Sequence, residues 1–195
     1  MKLIEQDTAY ILGAIRDGYL DEKQYLVSIS QKNREWLEFL KQMIKETFEV
    51  DSKIRQFRNA FELRIFSKKF FTHLKSFGIQ NSSTMPARIL QNKELWVPYI
   101  SGFFDAEGYC TSPETFRKTG KKKISFHQND KESLEFIKSV LEQFGIKTSK
   151  IYLQKNRNCH ALYIQSSDSI RKFHLIFKPI RKRKQLDNLL SVLPP

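Results

Sequence analysis

Apolar positions recur along the chain with two different periods, and the changes between them divide it into elements. From Tyr25 to Gln31 apolar and polar residues alternate, the two-residue period of a strand with one buried face. From Asn33 to Phe48 the apolar residues Trp36, Leu37, Leu40, Ile44 and Phe48 fall on one helical face. Ile54–Phe57 and Phe61–Phe66 return to the strand period and form a hairpin, and Lys68–Phe77 returns to the helical one.

The same order then recurs. Tyr109–Arg117 and Lys123–Gln128 read as strands, Lys131–Phe144 as a helix, Lys147–Gln154 and Ala161–Ser166 as a second hairpin, and Asp168–Phe177 as a helix. A last helix, Arg183–Val192, closes the chain. Residues 29–41, ISQKNREWLEFLK, align with residues 126–138, FHQNDKESLEFIK, at a shift of 97 that pairs Gln31 with Gln128 and Glu35 with Glu132. Farther on, LRIFS (63–67) matches LYIQS (162–166). QNSSTMP (80–86) is the natural linker, so the expected domains are 1–86 and 87–195. Each half is an αββαββα unit of an α+β fold.

One helix opens each half, and both end on an acid. PYISGFFDAEGYC (98–110) carries Asp105 and Glu107, and the helix Trp96–Glu107 stops before Gly108. An acid in a last turn faces the negative end of the helix dipole, at a cost of roughly 0.3–1 kcal/mol, so it calls for a cation. Its counterpart is AYILGAIRDGYL (9–20), which ends in Asp17-Gly18. Gly13, Ala14, Ser101, Gly102 and Ala106 are small enough for two such helices to meet backbone to backbone. Packed that way, Asp17 and Glu107 come together, and divalent cations or protons must neutralise them.

Charge points to the partner. Thirty-four Lys and Arg against 21 Asp and Glu give a net charge of +13, which favours a polyanion, with nucleic acid leading. GKKK (120–123) and RKRK (181–184) are its local peaks. Cys110 and Cys159 lack zinc or disulfide spacing, and His73, His160 and His174 lack ligand spacing. No apolar run is long enough to span a membrane, and MKLIEQDTAY has no signal-peptide core, so the expectation is a protein of the cell interior.

ISGFFDAEG (100–108) resembles, position for position, the nine-residue signature of the LAGLIDADG homing endonucleases. Two copies resemble the single-chain, pseudo-dimeric members. The first copy departs from the pattern: ILGAIRDG puts Gly13 one position later than the signature glycine and Arg16 where a small residue is usual. The sequence therefore leaves open how the helices cross near Gly13 and how far apart the carboxylates stand.

The resemblance implies a central pair of motif helices under a concave β-saddle that binds double-stranded DNA. It implies cleavage of both strands with short 3′ overhangs, by a monomer on a long, loosely palindromic target. Asp17 and Glu107 would hold Mg2+, with Mn2+ substituting and Ca2+ binding without cleavage. Gln31 and Gln128 match a glutamine found near the active centre of relatives, although each could equally cap the helix that follows. Lys182 is a further catalytic candidate by the same resemblance, with a phosphate contact as its plainer role. Strand phase nominates DNA readers: Arg55, Arg58 and Arg64 in the first half, Arg117, Lys121, Lys123 and Ser125 in the second. Two alternatives remain, an RNA-binding intron-splicing maturase and a catalytically inactive DNA-binding protein of the same fold.

Overall fold

The computed structural model describes residues 2–16, 18–81, 85–154 and 158–193, the side chains of Lys2 and Leu3 excepted. They form two compact units, Met1–Ala106 and Glu107–Pro195. Part of the expected linker, residues 82–84, lies outside the described residues. The packing boundary falls before Glu107, the last residue of the second motif helix, whereas the sequence repeat begins its second copy with that helix. Among the described residues no helix is long and apolar enough to cross a membrane.

In the first unit α1 (Lys2–Ala14) precedes a four-stranded antiparallel sheet of β1 (Tyr19–Asp21), β2 (Leu26–Gln31), β3 (Lys53–Phe57) and β4 (Ala60–Phe66), in the order β1-β2-β4-β3. Alternation along β2 and β4 turns Val27, Ile29, Leu63 and Ile65 to one face, where all are buried. The helix α2 (Arg34–Phe48) buries the five apolar residues of its stripe. It starts where it does because the Asn33 side chain accepts the Trp36 N–H at 2.7 Å. Ser67 caps α3 (Lys68–Lys75) in the same way, and Phe70, Phe71 and Leu74 are buried. A short α4 (Ala87–Gln91) and a 3-10 turn (Lys93–Leu95) lead into α5 (Trp96–Glu107).

The second unit repeats the strand order: β5 (Tyr109–Cys110), β6 (Ile124–Gln128), β8 (Cys159–Ile164) and β7 (Tyr152–Gln154) lie side by side in that sequence. Ile124, Phe126, Leu162 and Ile164 are fully buried, as are Leu134, Ile137, Val140 and Leu141 of α7 (Lys131–Gln143). In α8 (Ser167–Phe177), Phe173 and Phe177 stack with centroids 4.8 Å apart. The closing helix α9 (Arg183–Leu190) buries Leu186 and Leu189.

Three expectations are corrected. Tyr109–Arg117 is not one strand: after Cys110 the chain turns into α6 (Pro113–Thr119), because Ser112 accepts the Thr115 N–H at 3.2 Å and Pro113 fits the first helical turn. Regular strand within Lys147–Gln154 is confined to Tyr152–Gln154, although Ser149 N–H still donates to Tyr163 O at 2.9 Å. The first motif helix begins at Lys2 and stops at Ala14, short of Asp17.

Candidate functional site

The helix α5 is apolar on nearly every side, and the residues from Tyr99 to Asp105 are all buried. Such a helix can be accommodated only inside a core. Its contact with α1 is made by glycines: a Cβ on Gly102 would stand 2.0 Å from Tyr10 O, and a Cβ on Gly13 would stand 2.1 Å from Tyr99 O. No side chain fits either space. Gly13 therefore serves the crossing despite its displaced position in the motif. The missing residue is absorbed farther on, where α1 ends at Ala14 while α5 continues to Glu107.

The two acids of the second motif have different surroundings. Asp105 is fully buried, and its Oδ2 accepts the Tyr10 hydroxyl at 2.6 Å. That hydroxyl in turn accepts Trp36 Nε1–H at 3.0 Å. Residues two apart on a helix do not share a face. Glu107 accordingly leaves the core that Asp105 enters and is half-buried at the helix end. Its carboxylate sits where the carbonyls of the last turn concentrate negative potential. A carboxylate oxygen there is a hard donor of the kind divalent cations take, and among the described residues no group of three or more acidic, histidine or cysteine side chains gathers around it.

Asp17 lies outside the described residues; its flanks do not. Ile15 and Arg16 are buried, and the Arg16 guanidinium lies 5.8 Å from the centre of the Phe103 ring. Gly18 N–H donates to Ile15 O at 2.6 Å, and a Cβ on Gly18 would stand 2.6 Å from Ser28 O. The signature glycine of the first motif is thus required by the close approach of β2.

Gln31 and Gln128 behave alike in their separate units. Gln31 Oε1 accepts the Lys32 N–H at 2.9 Å, and Gln128 Oε1 accepts the Asn129 N–H at 2.8 Å. Neither caps the following helix, since Asn33 and Asp130 do that. Gln128 is 9% exposed, and its buried Nε2 has no hydrogen-bond partner among the described residues. Lys182 is 5% exposed, which does not suit the plainer reading of a surface phosphate contact. It acts on Cys110: burial pushes the Cys110 thiol up to about 12, and the charge of Lys182 opposes that rise. Cys110 Sγ is 3.6 Å from Gln185 O, so the start of α9 packs against β5, three residues beyond Glu107.

Of the reader candidates, Arg55 and Arg64 lie on the face of the first sheet opposite its core, and Lys121 and Lys123 lie in the segment that precedes β6. In the first unit Tyr19, Ser28, Arg64 and Lys53 form one cross-strand rung, and Ser30, Glu62 and Arg55 form the next. Glu62 is buried, with Arg55 at 2.7 Å and Arg64 at 3.8 Å. Arg58 stands in the β3–β4 turn with φ 53° and lies over the Phe57 ring. In the second unit Tyr109, Ser125 and Tyr163 make the equivalent rung. Ser125 itself is corrected as a reader: it is fully buried, with its hydroxyl 2.9 Å from His127 Nε2. Arg117 is exposed on α6 rather than on a strand. Sequence reasoning missed Tyr19 and Tyr109, both largely exposed, although DGY and EGY repeat the same residue after each motif acid and its glycine.

The chain matches the model of the LAGLIDADG-like domain twice, over residues 5–79 and 97–177. It is 30% identical to the homing endonuclease I-ApeI of Aeropyrum pernix over 200 residues, covering 93% of this chain and 86% of that protein. A structure of I-DmoI in complex with DNA and Mn superposes with a TM-score of 0.68 at 25% identity, covering 89% of this chain and 97% of the other. Full-length DUF199/WhiA from Thermatoga maritima shares the fold at 18% identity and a TM-score of 0.69, covering 98% of this chain and 63% of that one.

Proposed function

This chain belongs to the LAGLIDADG family, and from that premise we propose that it is a site-specific endonuclease of double-stranded DNA. The observation that carries the reading is the motif helix α5: Gly102 packs on the backbone of α1, Asp105 is committed to the core, and Glu107 emerges at the negative helix end. Relatives of the same architecture bear names and partners that agree, a homing endonuclease and a complex with DNA and Mn. The net charge of +13 suits a phosphate backbone.

In this proposal Asp17 and Glu107 are the acids that hold divalent metal, Mg2+ in the first place, with Mn2+ able to replace it and Ca2+ binding without turnover. Bound there, the ion supplies Lewis acidity at a scissile phosphate and makes water a better nucleophile. The remaining roles belong to the chain. Gln128 offers an amide N–H whose carbonyl end is already fixed by the backbone, a rigid donor for a phosphate oxygen or for water. Gln31 has the same backbone anchor and the same proposed role. Lys182, buried beside β5, supplies positive charge that stabilises developing negative charge. Arg55, Arg58, Arg64, Arg117, Lys121 and Lys123 position the duplex. One chain carries both motifs, so the active species is a monomer and its target is long and only loosely palindromic.

The test is cleavage of a randomised duplex library by the wild type, Asp17→Asn and Glu107→Gln, with Mg2+ and with EDTA. The expected result is cleavage by the wild type with Mg2+ alone, while both variants keep the wild-type melting transition and still bind duplex. Cleavage by either variant, or cleavage in EDTA, overturns the assignment. Retained binding to structured RNA with no cleavage of DNA by the wild type would assign the chain to a splicing role instead.

A further inference from the structure

The link between the first two strands differs between the units. In the first, β1 returns to β2 through the turn 22–25, which contains one acid and one cation, Glu22 and Lys23. In the second, β5 returns to β6 through residues 111–123, with five cations against the single acid Glu114. Lys118 neutralises Glu114 at 2.7 Å on α6 itself. Among the described residues no ion pair takes up Lys121, Lys122 or Lys123.

Local structure holds this lysine run in place. Gly120 adopts φ +65° and donates its N–H to Phe116 O at 2.8 Å, which ends α6 and reverses the chain. Thr111 then clasps the returning strand: its hydroxyl donates to Lys123 O at 3.0 Å and accepts the Lys123 N–H at 3.1 Å. The result is a cavity of about 560 Å3 whose lining includes Tyr109, Thr115, Thr119, Lys121, Lys122 and Lys123 and, among the described residues, no acid. Lys123 Nζ is further fixed 4.7 Å over the Tyr163 ring. Lys122 and Lys123 are half-buried and share one concavity with three threonines.

We propose that this cavity binds a backbone phosphate of duplex DNA, giving the second unit a grip that the 22–25 turn of the first does not offer. The inference rests on the reading of the chain as a DNA endonuclease. Its chemistry is that of a phosphate site: ammonium groups supply charge as compact points, and the Thr115 hydroxyl, which accepts from Ser112, keeps its own proton to donate. Base edges are a poorer match, since Gln165 is the single planar amide among nine lining residues, of which three are lysines. Tyr109, two residues past Glu107, places the grip directly beyond the motif helix.

The experiment compares wild type, Lys121→Gln/Lys122→Gln/Lys123→Gln, and a charge-matched control, Lys41→Gln/Lys131→Gln/Lys138→Gln, whose lysines sit in helix-surface ion pairs. Affinity for a short random-sequence DNA duplex is measured across a salt series, beside thermal unfolding. Each lost phosphate contact removes about 0.9 from the log–log slope, so the cavity variant should be shallower by about 0.9 while the control keeps the wild-type slope. An unchanged slope in the cavity variant, equal losses in both variants, or a loss seen only with a hairpin RNA overturns the phosphate site. If the wild type binds and cleaves duplex while the cavity variant keeps its slope, only this inference falls. If the wild type binds no duplex at all, the endonuclease reading falls with it.

Discussion

Tyr10 and Asp105 are 95 residues apart in sequence, yet the Tyr10 hydroxyl donates to the Asp105 carboxylate at 2.6 Å within the core. The bond joins α1 to α5 a few ångströms from where their backbones touch, and Trp36 of α2 donates to the same hydroxyl. Three helices of the first unit thus meet at one oxygen.

Removing that oxygen should be costly. Tyr10→Phe takes a partner from both a buried carboxylate and an indole N–H, and the fold should lose about 1–3 kcal/mol by chemical denaturation. Asp105→Asn, which keeps an acceptor oxygen, should lose less. Equal stability of Tyr10→Phe and wild type would place the helix junction's stability in packing alone.

The glycines separate two kinds of requirement. Gly102→Ala drives a methyl to 2.0 Å from Tyr10 O, backbone that cannot move aside, so the loss should reach or pass the roughly 3 kcal/mol upper end of overpacking. Gly120→Ala meets nothing within 4 Å and should cost only the roughly 1–2 kcal/mol of a left-handed backbone. Circular dichroism melts of the two variants should differ accordingly.

Cys110 should be chemically silent. With its thiol pushed to about 12 by burial, it has almost no thiolate at neutral or mildly basic pH. Iodoacetamide at about pH 8 should label Cys159, which is half-exposed, and spare Cys110 until denaturant is added. Mass spectrometry of tryptic peptides reads the outcome, and rapid native labelling of Cys110 would contradict the burial of β5 against α9.

His73 couples stability to pH. Burial lowers its pKa from the usual 6.5, Arg88 acts in the same direction, and Glu5 opposes them. The folded state therefore prefers neutral His73, bonded to Thr8 at 2.9 Å and packed on Phe48 and Phe77. Stability from this group is full above about pH 6.5 and declines as pH falls through the lowered folded value, because the unfolded chain takes up the proton first. Denaturation midpoints should fall between about pH 7 and pH 5, and fall less in His73→Gln.

The sequence disclosed what local chemistry decides. The boundaries of α2 and α5 were legible because Asn33 is a strong cap and because Trp96–Glu107 is apolar up to its final acid. Ser112-Pro113 was an equally local signal for α6, but the alternation from Tyr109 onward reads as strand when taken alone. The strand β1 escaped because three residues are too few for a period. The inward turn of Asp105 and the burial of Ser125 depend on Tyr10 and His127, partners that a linear reading does not place. The same holds for Gly13, whose fit is set by the carbonyl of Tyr99 rather than by its place in the motif.

Glu62, buried between Arg55 and Arg64, has a consequence for how the units respond to their medium. It is a counterion built into the fold. Arginines that already carry their own anion condense little from solution, and they release little when a phosphate takes its place. Lys121, Lys122 and Lys123 are in no ion pair among the described residues, so their counterions come from solution. Affinity contributed by the first sheet should therefore hold as ionic strength rises, while the grip of the second unit fades, so that changing salt alone redistributes the load between the two halves of a bound duplex.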